Sequence, residues 1–231
     1  DGKRGSSKSW YANGQERGEG TYDPKYEVRG EGVTITGCNE KPWGAVVIPS
    51  HIEGKAVTSI GERAFEKCIL LTGITIPEGV TSIGRGAFSE CFRLTSINVG
   101  LGSSNYKDVD GVLFNKEGTV LLAYPKGKAG IDYIIPDSVT RIGDQAFSYS
   151  TKLTSITIPN SVTRIGRSAF SGCRSLTSIT IPDSVTGGIG GFSSCSILTS
   201  VTIGKNVNRL RISDFSSCPS LSSIEVSEGN L

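Results

Sequence analysis

A unit of about 23 residues recurs along most of this chain, and no other feature constrains the fold as strongly. Leu153–Ser175 reads LTSITIPNSVTRIGRSAFSGCRS, and Leu71–Arg93 reads LTGITIPEGVTSIGRGAFSECFR. The shared pattern is L-x-x-I-x-I-P-x-x-V-x-x-I-G-x-x-A-F-x-x-C-x-x. A fixed period of about 20 to 50 residues is typical of solenoids, in which each unit buries its apolar face only against its neighbours.

The same pattern organises the chain from residue 46 onward. Further units, or parts of units, begin at Val46, Leu94, Leu176, Leu198 and Leu221. The unit that begins at Leu94 leaves the pattern at Gly100 and rejoins it at Ile134, which predicts an insertion at about residues 100–134. Arg211 and Asp214 stand where the pattern has Gly and Ala, so we expect a looser turn in the last complete unit.

Each part of the unit predicts a local structure. The alternating, β-branched segment around Ile156 and Ile158 predicts a short strand, which Pro159 ends. The Val-x-x-Ile-Gly segment predicts a second extended piece, and Ala-Phe-x-x-Cys predicts a helical or 3-10 turn. The alternation of 109–114 and 119–124 around a turn predicts a β-hairpin within the insertion. The predicted fold is therefore an α/β-type leucine-rich repeat solenoid with a parallel strand stack, short helical or 3-10 turns on the other side, and one hairpin-like insertion.

The unit resembles the BspA-like leucine-rich repeat family of bacterial surface and secreted proteins. The opening YEVRGEGVTITG at Tyr26–Gly37 is also similar to the N-terminal segment of that family. The resemblance implies export to the cell surface or the medium and, for some members, binding to host matrix proteins or to other bacteria. It implies no catalytic residues.

The expected domain organisation follows from these segments. Residues 1–20 are rich in Gly, Ser and charge and predict a flexible leader. We expect an N-terminal β cap at 21–45 and the repeat solenoid at 46–231. Because the chain opens on Asp1 rather than Met, we expect a processed or trimmed fragment from which any signal peptide is already gone.

Composition narrows the function classes. Lys and Arg number 24 against 22 Asp and Glu, so no basic excess favours nucleic acid. No apolar run reaches the roughly 18 residues that a transmembrane helix needs. His51, the single histidine, lies in a polar connection, so we expect no nucleophile–base pair and no enzyme. No cofactor is expected, and no metal, because Cys-x-x-Cys spacing is lacking.

Five cysteines occupy the same position of the unit, where Ser150 replaces cysteine once. They are Cys68, Cys91, Cys173, Cys195 and Cys218. Neighbours in adjacent turns would come within disulfide range, but the position also accepts serine, and buried free cysteine packs as a small apolar residue. We favour reduced thiols and leave a disulfide open. Cys38 has no place in this column.

Three sets of residues are candidate contacts for a partner. The outward face of the strand stack is small and polar and carries Thr75, Asn98, Thr157, Thr180, Thr202 and Glu225. The insertion adds Tyr106, Tyr124 and Tyr133 and is expected to project from the stack. A basic strip for an acidic partner is formed by Arg141, Arg164 and Arg209.

The favoured function is a monomeric, non-catalytic, extracellular scaffold for adhesion or protein binding. Its expected partner is a host matrix protein, another cell-surface protein or a glycan. The alternative is a structural spacer module of a larger surface protein. The sequence leaves the ligand and the binding face undecided.

Overall fold

The structure, a computed structural model, describes residues 22–38 and 41–227. The expected leader at 1–20 lies outside these residues. In chain order the strands are β1 (Pro24–Arg29), β2 (Gly32–Cys38), β3 (Gly44–Val47), β4 (His51–Ile52), β5 (Lys55–Ile60), β6 (Leu71–Ile76), β7 (Ser82–Ile83), β8 (Ser96–Val99), β9 (Tyr106–Val109), β10 (Val112–Asn115), β11 (Val120–Ala123), β12 (Asp132–Ile134), β13 (Arg141–Ile142), β14 (Ser155–Thr157), β15 (Arg164–Ile165), β16 (Ser178–Ile181), β17 (Ser200–Ile203) and β18 (Ser223–Val226).

The Leu-x-x-Ile-x-Ile segments stack as parallel strands, as the sequence predicts. β3, β6 and β8 pair in parallel, as do β12 with β14, and β16 with β17 and β18. Equivalent residues face each other across these pairs: Ile74 is opposite Ile97, and Ile179 is opposite Val201. The constant length of the unit sets this register, because each turn brings the same residue back above its predecessor.

The Val-x-x-Ile-Gly segments form a second parallel column. β5 pairs with β7, and β11 pairs with β13, which pairs with β15. Ile142 lies opposite Ile165 in this column, and Val139 and Val162 just before the strands are fully buried. Two strand columns thus enclose the apolar side chains of every unit.

The helical turns and the α/β character expected from the Ala-Phe-x-x-Cys segments are not confirmed. Among the described residues, the helical structure consists of one four-residue 3-10 helix at Ile212–Phe215. In three of the other units the Phe amide donates to the next unit instead: Phe65 N to the Ala87 carbonyl at 2.8 Å, Phe147 N to the Ala169 carbonyl at 2.9 Å, and Phe192 N to the Asp214 carbonyl at 2.5 Å. Residues with positive φ, such as Lys67 at 60°, also interrupt these turns. The segment therefore stays a turn, because its amide is bonded between repeats rather than along a helix.

The N-terminal residues cover the first end of the stack. β1 and β2 form an antiparallel hairpin, and β2 continues the second column by pairing in parallel with β5. Val33 and Ile35 of β2 are fully buried, so this hairpin shields the apolar side of the first repeat.

The insertion is folded into the stack, which corrects the expectation that it projects from it. β9, β10 and β11 are antiparallel neighbours, and β11 pairs in parallel with β13. The Tyr124 amide donates to the Ala146 carbonyl at 2.9 Å, the bond that Phe147 makes to Ala169 in the next unit. The end of the insertion thus takes the place of a repeat turn, with Tyr124 at the position of the repeated Phe.

The core has two parts that meet at the insertion. Rings of consecutive units stack from Tyr22 through Phe65 to Phe88 in the first part. In the second part they stack in the order Tyr124, Phe147, Phe170, Phe192 and Phe215.

Candidate functional site

The predicted strand face is one exposed surface interrupted once. Thr75 lies opposite Asn98, and Thr180 lies opposite Thr202, which lies opposite Glu225. Thr157 stands on β14, which contacts β16, so the row continues between these groups. All six residues are exposed or half-buried. The row breaks between β8 and β12, where the insertion enters.

Large apolar residues also reach this surface, and the repeat pattern did not predict them. Val47 and Ile134 share the outward row and are 64% and 73% exposed. Just before the strands, four further residues form what we call the apolar edge: Trp43, Ile69, Leu70 and Phe92. The later units carry Arg174, Ser175 and Ser196 at the equivalent positions, with Ile197 as an apolar exception at 44% exposure. The largely polar character of the later units was the available sequence signal.

The structure brings together two of the three strip arginines. Arg141 and Arg164 lie opposite each other on β13 and β15. Arg209 is separated from them, because its bridge partner is Gly188 in the intervening unit. Arg85 and Arg167 line the same groove as the Arg141–Arg164 pair. Within 22–38 and 41–227, Arg141, Arg164 and Arg167 form no ion pair. Asp144 also lines the groove and accepts a hydrogen bond from the Arg167 backbone amide at 2.9 Å, so the groove keeps an excess of positive charge.

The three insertion tyrosines lie in or against the core. Tyr124 is 3% exposed, and its ring centre is 4.9 Å from that of Tyr133. Tyr133 is half-buried and also packs against Phe147. The Tyr106 hydroxyl donates to the Thr81 carbonyl at 3.3 Å. These rings hold the insertion onto the repeats, and Tyr124 does not present a surface to a partner.

The repeated cysteines form a hydrogen-bonded column of free thiols. Four of the five sulfurs, those of Cys91, Cys173, Cys195 and Cys218, donate to the Phe carbonyl of the preceding unit, as from Cys173 Sγ to Phe147 O at 3.1 Å and from Cys195 Sγ to Phe170 O at 3.2 Å. Burial raises the pKa of the Cys173 thiol to about 12. Cys38, which the sequence left unassigned, lies beside Cys68 at the end of the column. Burial thus keeps the Cys173 and Cys195 thiols protonated at neutral pH.

A buried lysine interrupts the column where cysteine is replaced. Lys126 is 4% exposed, and its Nζ donates to the Tyr124 carbonyl at 3.0 Å and to the Ala146 carbonyl at 3.5 Å. By the geometry of the other units, the Tyr124 carbonyl would accept from Ser150. The Ser150 hydroxyl is instead buried with no hydrogen-bond partner in the described part of the chain. The amine has therefore displaced the repeat's own donor.

A cavity of about 280 Å³ lies beside Lys126, between the two parts of the core. Phe88, Leu113 and Val120 line its apolar side, and Ser89 and Gln145 add polar atoms. Arg85 and Arg141 line it as well, so the cavity adjoins the basic groove. It is the place where the ring stack of one half stops and that of the other begins.

A family profile accounts for most of the chain. The profile of the BspA-type leucine-rich repeat region, in six copies, matches residues 46–119 and 128–231. The chain belongs to this family. The residues that the BspA-type profile leaves out, 120–127, include β11, Tyr124 and Lys126. The buried lysine thus lies where the family repeat is broken, and its cavity lies between this segment and matched residues on either side of it.

Solved structures of bacterial repeat proteins resemble this BspA-type chain. A leucine-rich repeat protein from Eubacterium ventriosum is 26% identical, with a TM-score of 0.62, over 74% of this chain and 58% of that one. A leucine rich cell surface protein from Faecalibacterium prausnitzii is 30% identical, with a TM-score of 0.60, over 80% and 60% of the two chains. This chain thus spans about three fifths of these relatives.

The pneumococcal vaccine antigen PcpA shares the fold, at 23% identity and a TM-score of 0.57 over 78% of this chain and 51% of that one. No curated protein matches the BspA-type chain. Among the residues described, no helix is long and apolar enough to cross a membrane. The same residues place no group of three or more His, Cys, Asp or Glu side chains where they could hold a metal ion.

The buried lysine predicts a pH dependence of stability. Burial lowers the pKa of Lys126 from 10.5 to about 8. Between these values the unfolded chain binds a proton that the folded chain does not, so the free energy of unfolding rises with pH across this window. Relative to Lys126→Met, we expect the wild type to gain about 3 kcal/mol between pH 7 and pH 10.5 in urea denaturation.

The comparison with Lys126→Met removes the contributions of cysteines and tyrosines, which also titrate at alkaline pH. Lys152→Met is the matched control, because Lys152 also donates to a backbone carbonyl, that of Gly127 at 2.9 Å, but is exposed. The free energy of unfolding of Lys152→Met should change with pH as that of the wild type does. Equal pH dependence in the wild type and Lys126→Met would contradict the assignment.

Proposed function

We propose that this chain is an extracellular, non-catalytic scaffold that binds another protein through the strand face and the apolar edge. In this proposal it is a secreted or cell-surface monomer, and its partner is a host matrix protein or another cell-surface protein. The segments 1–20, 21–45 and 46–231 act as leader, N-terminal cap and binding solenoid.

The strand face, in its two stretches on either side of the insertion, carries the proposal. Its outward row runs along parallel strands and is uncharged apart from Glu225, with Val47 and Ile134 strongly exposed. The apolar edge adds two exposed aromatic residues, Trp43 at 52% and Phe92 at 40% exposure. Large exposed aromatic residues next to a small polar surface are typical of protein-binding sites, where a few anchors supply most of the affinity.

The repeat architecture of the family and the name of one solved relative support this proposal. Solenoids of stacked repeats offer extended surfaces for partners. The Faecalibacterium prausnitzii relative is described as a cell surface protein, which supports a surface location for this chain.

A second candidate rests on the arginine groove. Arg141, Arg164 and Arg167 lie together without ion-pair partners among the described residues, and this geometry favours an acidic partner such as a sulfated glycan. Arg141→Glu/Arg164→Glu should then abolish retention on a heparin column. Arg63→Glu/Arg174→Glu is the control of equal charge change, because these exposed arginines lie outside the groove.

The protein-binding proposal is tested on an array of fibronectin, fibrinogen and other matrix proteins. We expect saturable binding of the wild-type chain with a Kd of about 10 µM or lower. Leu70→Ser/Phe92→Ser removes part of the apolar edge and should weaken binding at least about tenfold. Thr157→Glu/Thr180→Glu introduces charge on the strand face and should have a similar effect.

The matched control removes exposed apolar side chains elsewhere. Leu101 and Ile212 are 95% and 97% exposed, and neither lies on the outward row or the apolar edge. Leu101→Ser/Ile212→Ser should bind like the wild type. Loss of binding in this control would contradict the assigned surface. No saturable binding by the folded chain would favour the alternative, a structural spacer within a larger surface protein.

A further inference from the structure

We propose that the cavity beside Lys126 binds a small organic carboxylate with a short apolar tail, whose carboxylate contacts the Lys126 ammonium. This inference is independent of the protein-binding proposal, because neither Lys126 nor the cavity lies on the outward row or the apolar edge. It assigns a second, small-molecule site to the break in the repeat.

The charge of the buried amine is the first reason. Lys126 lines the cavity and has no ion-pair partner within the described residues; its hydrogen-bond acceptors are two neutral carbonyls. Buried charges in folded proteins are as a rule paired with an opposite charge. The protein has already removed water from this ammonium, so an incoming carboxylate adds only the cost of its own desolvation.

The charged residues that line the cavity favour a negatively charged ligand. Arg85 and Arg141 accompany Lys126, and Asp144 is the acidic residue that faces them. Arg85 forms an ion pair with Glu62 at 3.2 Å. The two remaining positive charges, on Arg141 and Lys126, therefore outnumber the single negative charge of Asp144. A focused positive potential of this kind attracts anions.

The other side of the cavity selects an apolar tail. Phe88, Leu113 and Val120 provide a hydrocarbon wall, and Gln145 accepts a hydrogen bond from Ser89 at 3.1 Å near the polar end. A pocket of about 280 Å³ is just below the usual range of about 300–1,000 Å³ for ligand sites. Because one water occupies about 30 Å³ of the liquid, a ligand of about eight non-hydrogen atoms fits. Hexanoate meets each of these requirements.

The position of the cavity explains why the repeat does not fill it. The stacked rings of the regular units leave no gap, with centroid separations of 5.1 Å between Phe170 and Phe192. At the insertion Tyr124 replaces the repeated Phe but stacks toward Phe147 and not toward Phe88. The profile of the family also omits this segment, 120–127. The cavity is therefore a feature of the interruption and not of the repeat.

The experiment titrates the full chain, with its lysines labelled with ¹³C, with hexanoate, hexylamine and hexanol at pH 7. The Lys126 ε-CH₂ signal is then followed across pH, with and without saturating hexanoate, to give the pKa of Lys126 in each state. We expect saturable binding of hexanoate with a Kd of about 1 mM or below and an increase in the pKa of Lys126, because a carboxylate favours the charged amine. Hexylamine and hexanol should bind at least about tenfold more weakly.

Two variants, followed by calorimetry, test the site. Lys126→Met should weaken hexanoate binding at least about tenfold, whereas Lys152→Met should leave it unchanged. If Lys126→Met does not fold, the change in the pKa of Lys126 on adding hexanoate to the wild-type chain is by itself the test of the site. Binding that hexanol matches, binding that survives in Lys126→Met, or no saturable binding up to about 20 mM would each overturn the proposal.

Discussion

Replacing Phe170 by alanine is expected to lower the free energy of unfolding by about 3–5 kcal/mol, the usual cost of removing a buried aromatic ring. Phe170 is fully buried and lies between two rings, at 5.6 Å from Phe147 and 5.1 Å from Phe192. The substitution removes two ring contacts and leaves a cavity that neighbouring turns, each hydrogen-bonded to the next, cannot close. Urea denaturation followed by circular dichroism measures the loss.

The loss of stability should depend on where in the row of stacked rings the Phe is removed, as well as on the removal of the ring itself. In a solenoid each unit is stabilised only by its neighbours, so a central defect uncouples the two sides of the stack. Phe215 ends the same row and is half-buried, with one ring neighbour at 5.9 Å. Phe215→Ala should cost less than half as much. An equal loss at both positions would show that the rings do not act as a stack.

The second large effect is expected at Gly84, where alanine should destabilise the protein by about 3 kcal/mol. A Cβ at this residue would lie 2.3 Å from Glu62 N and 2.6 Å from Glu62 Cα, both backbone atoms of the preceding unit. No side-chain rotation relieves such a contact, so the two repeats must separate. Thermal and urea unfolding of Gly84→Ala measure the effect.

Gly187→Ala is the matched control for Gly84→Ala. A Cβ at Gly187 would meet no heavy atom within 4 Å, and its φ lies outside the left-handed region. Alanine should therefore be neutral or stabilise the protein by about 0.4–1 kcal/mol, because it restricts the unfolded chain. Opposite signs at the two glycines are the expected result. Similar losses at both would mean that backbone freedom, and not close approach, is what the repeat glycine provides.

The strand face was the part of the candidate site that the sequence predicted best. Thr180, Thr202 and Glu225 stand in one row because a constant repeat length places equivalent residues at equal heights. The apolar edge was missed because Ile69, Leu70 and Phe92 fill positions at which the repeat pattern sets no residue type. Because such a position faces solvent, the stacking of the repeats does not constrain its side chain.

The helical turns were predicted from a motif taken one unit at a time. Ala-Phe-x-x-Cys is compatible with a helical turn when only local bonds are considered. In the stack the Phe65 amide donates across to the Ala87 carbonyl, a bond that no isolated unit could show. The 3-10 helix at Ile212–Phe215 forms where Arg211 and Asp214 change the repeat, and there the Arg211 amide donates to the Asp214 carboxylate at 2.9 Å.

The sequence by itself determined the family, the parallel stack and its register, and the rows of Phe and Cys. It could do so because stacking acts between equivalent positions, and a period along the chain records which positions are equivalent. Only the tertiary structure decided what happens where the period stops. It placed Tyr124 in the Phe row, Cys38 at the end of the thiol column, and Lys126 beside a cavity. These three residues lie outside the regular repeat pattern, so the period of the sequence does not predict which residues they contact.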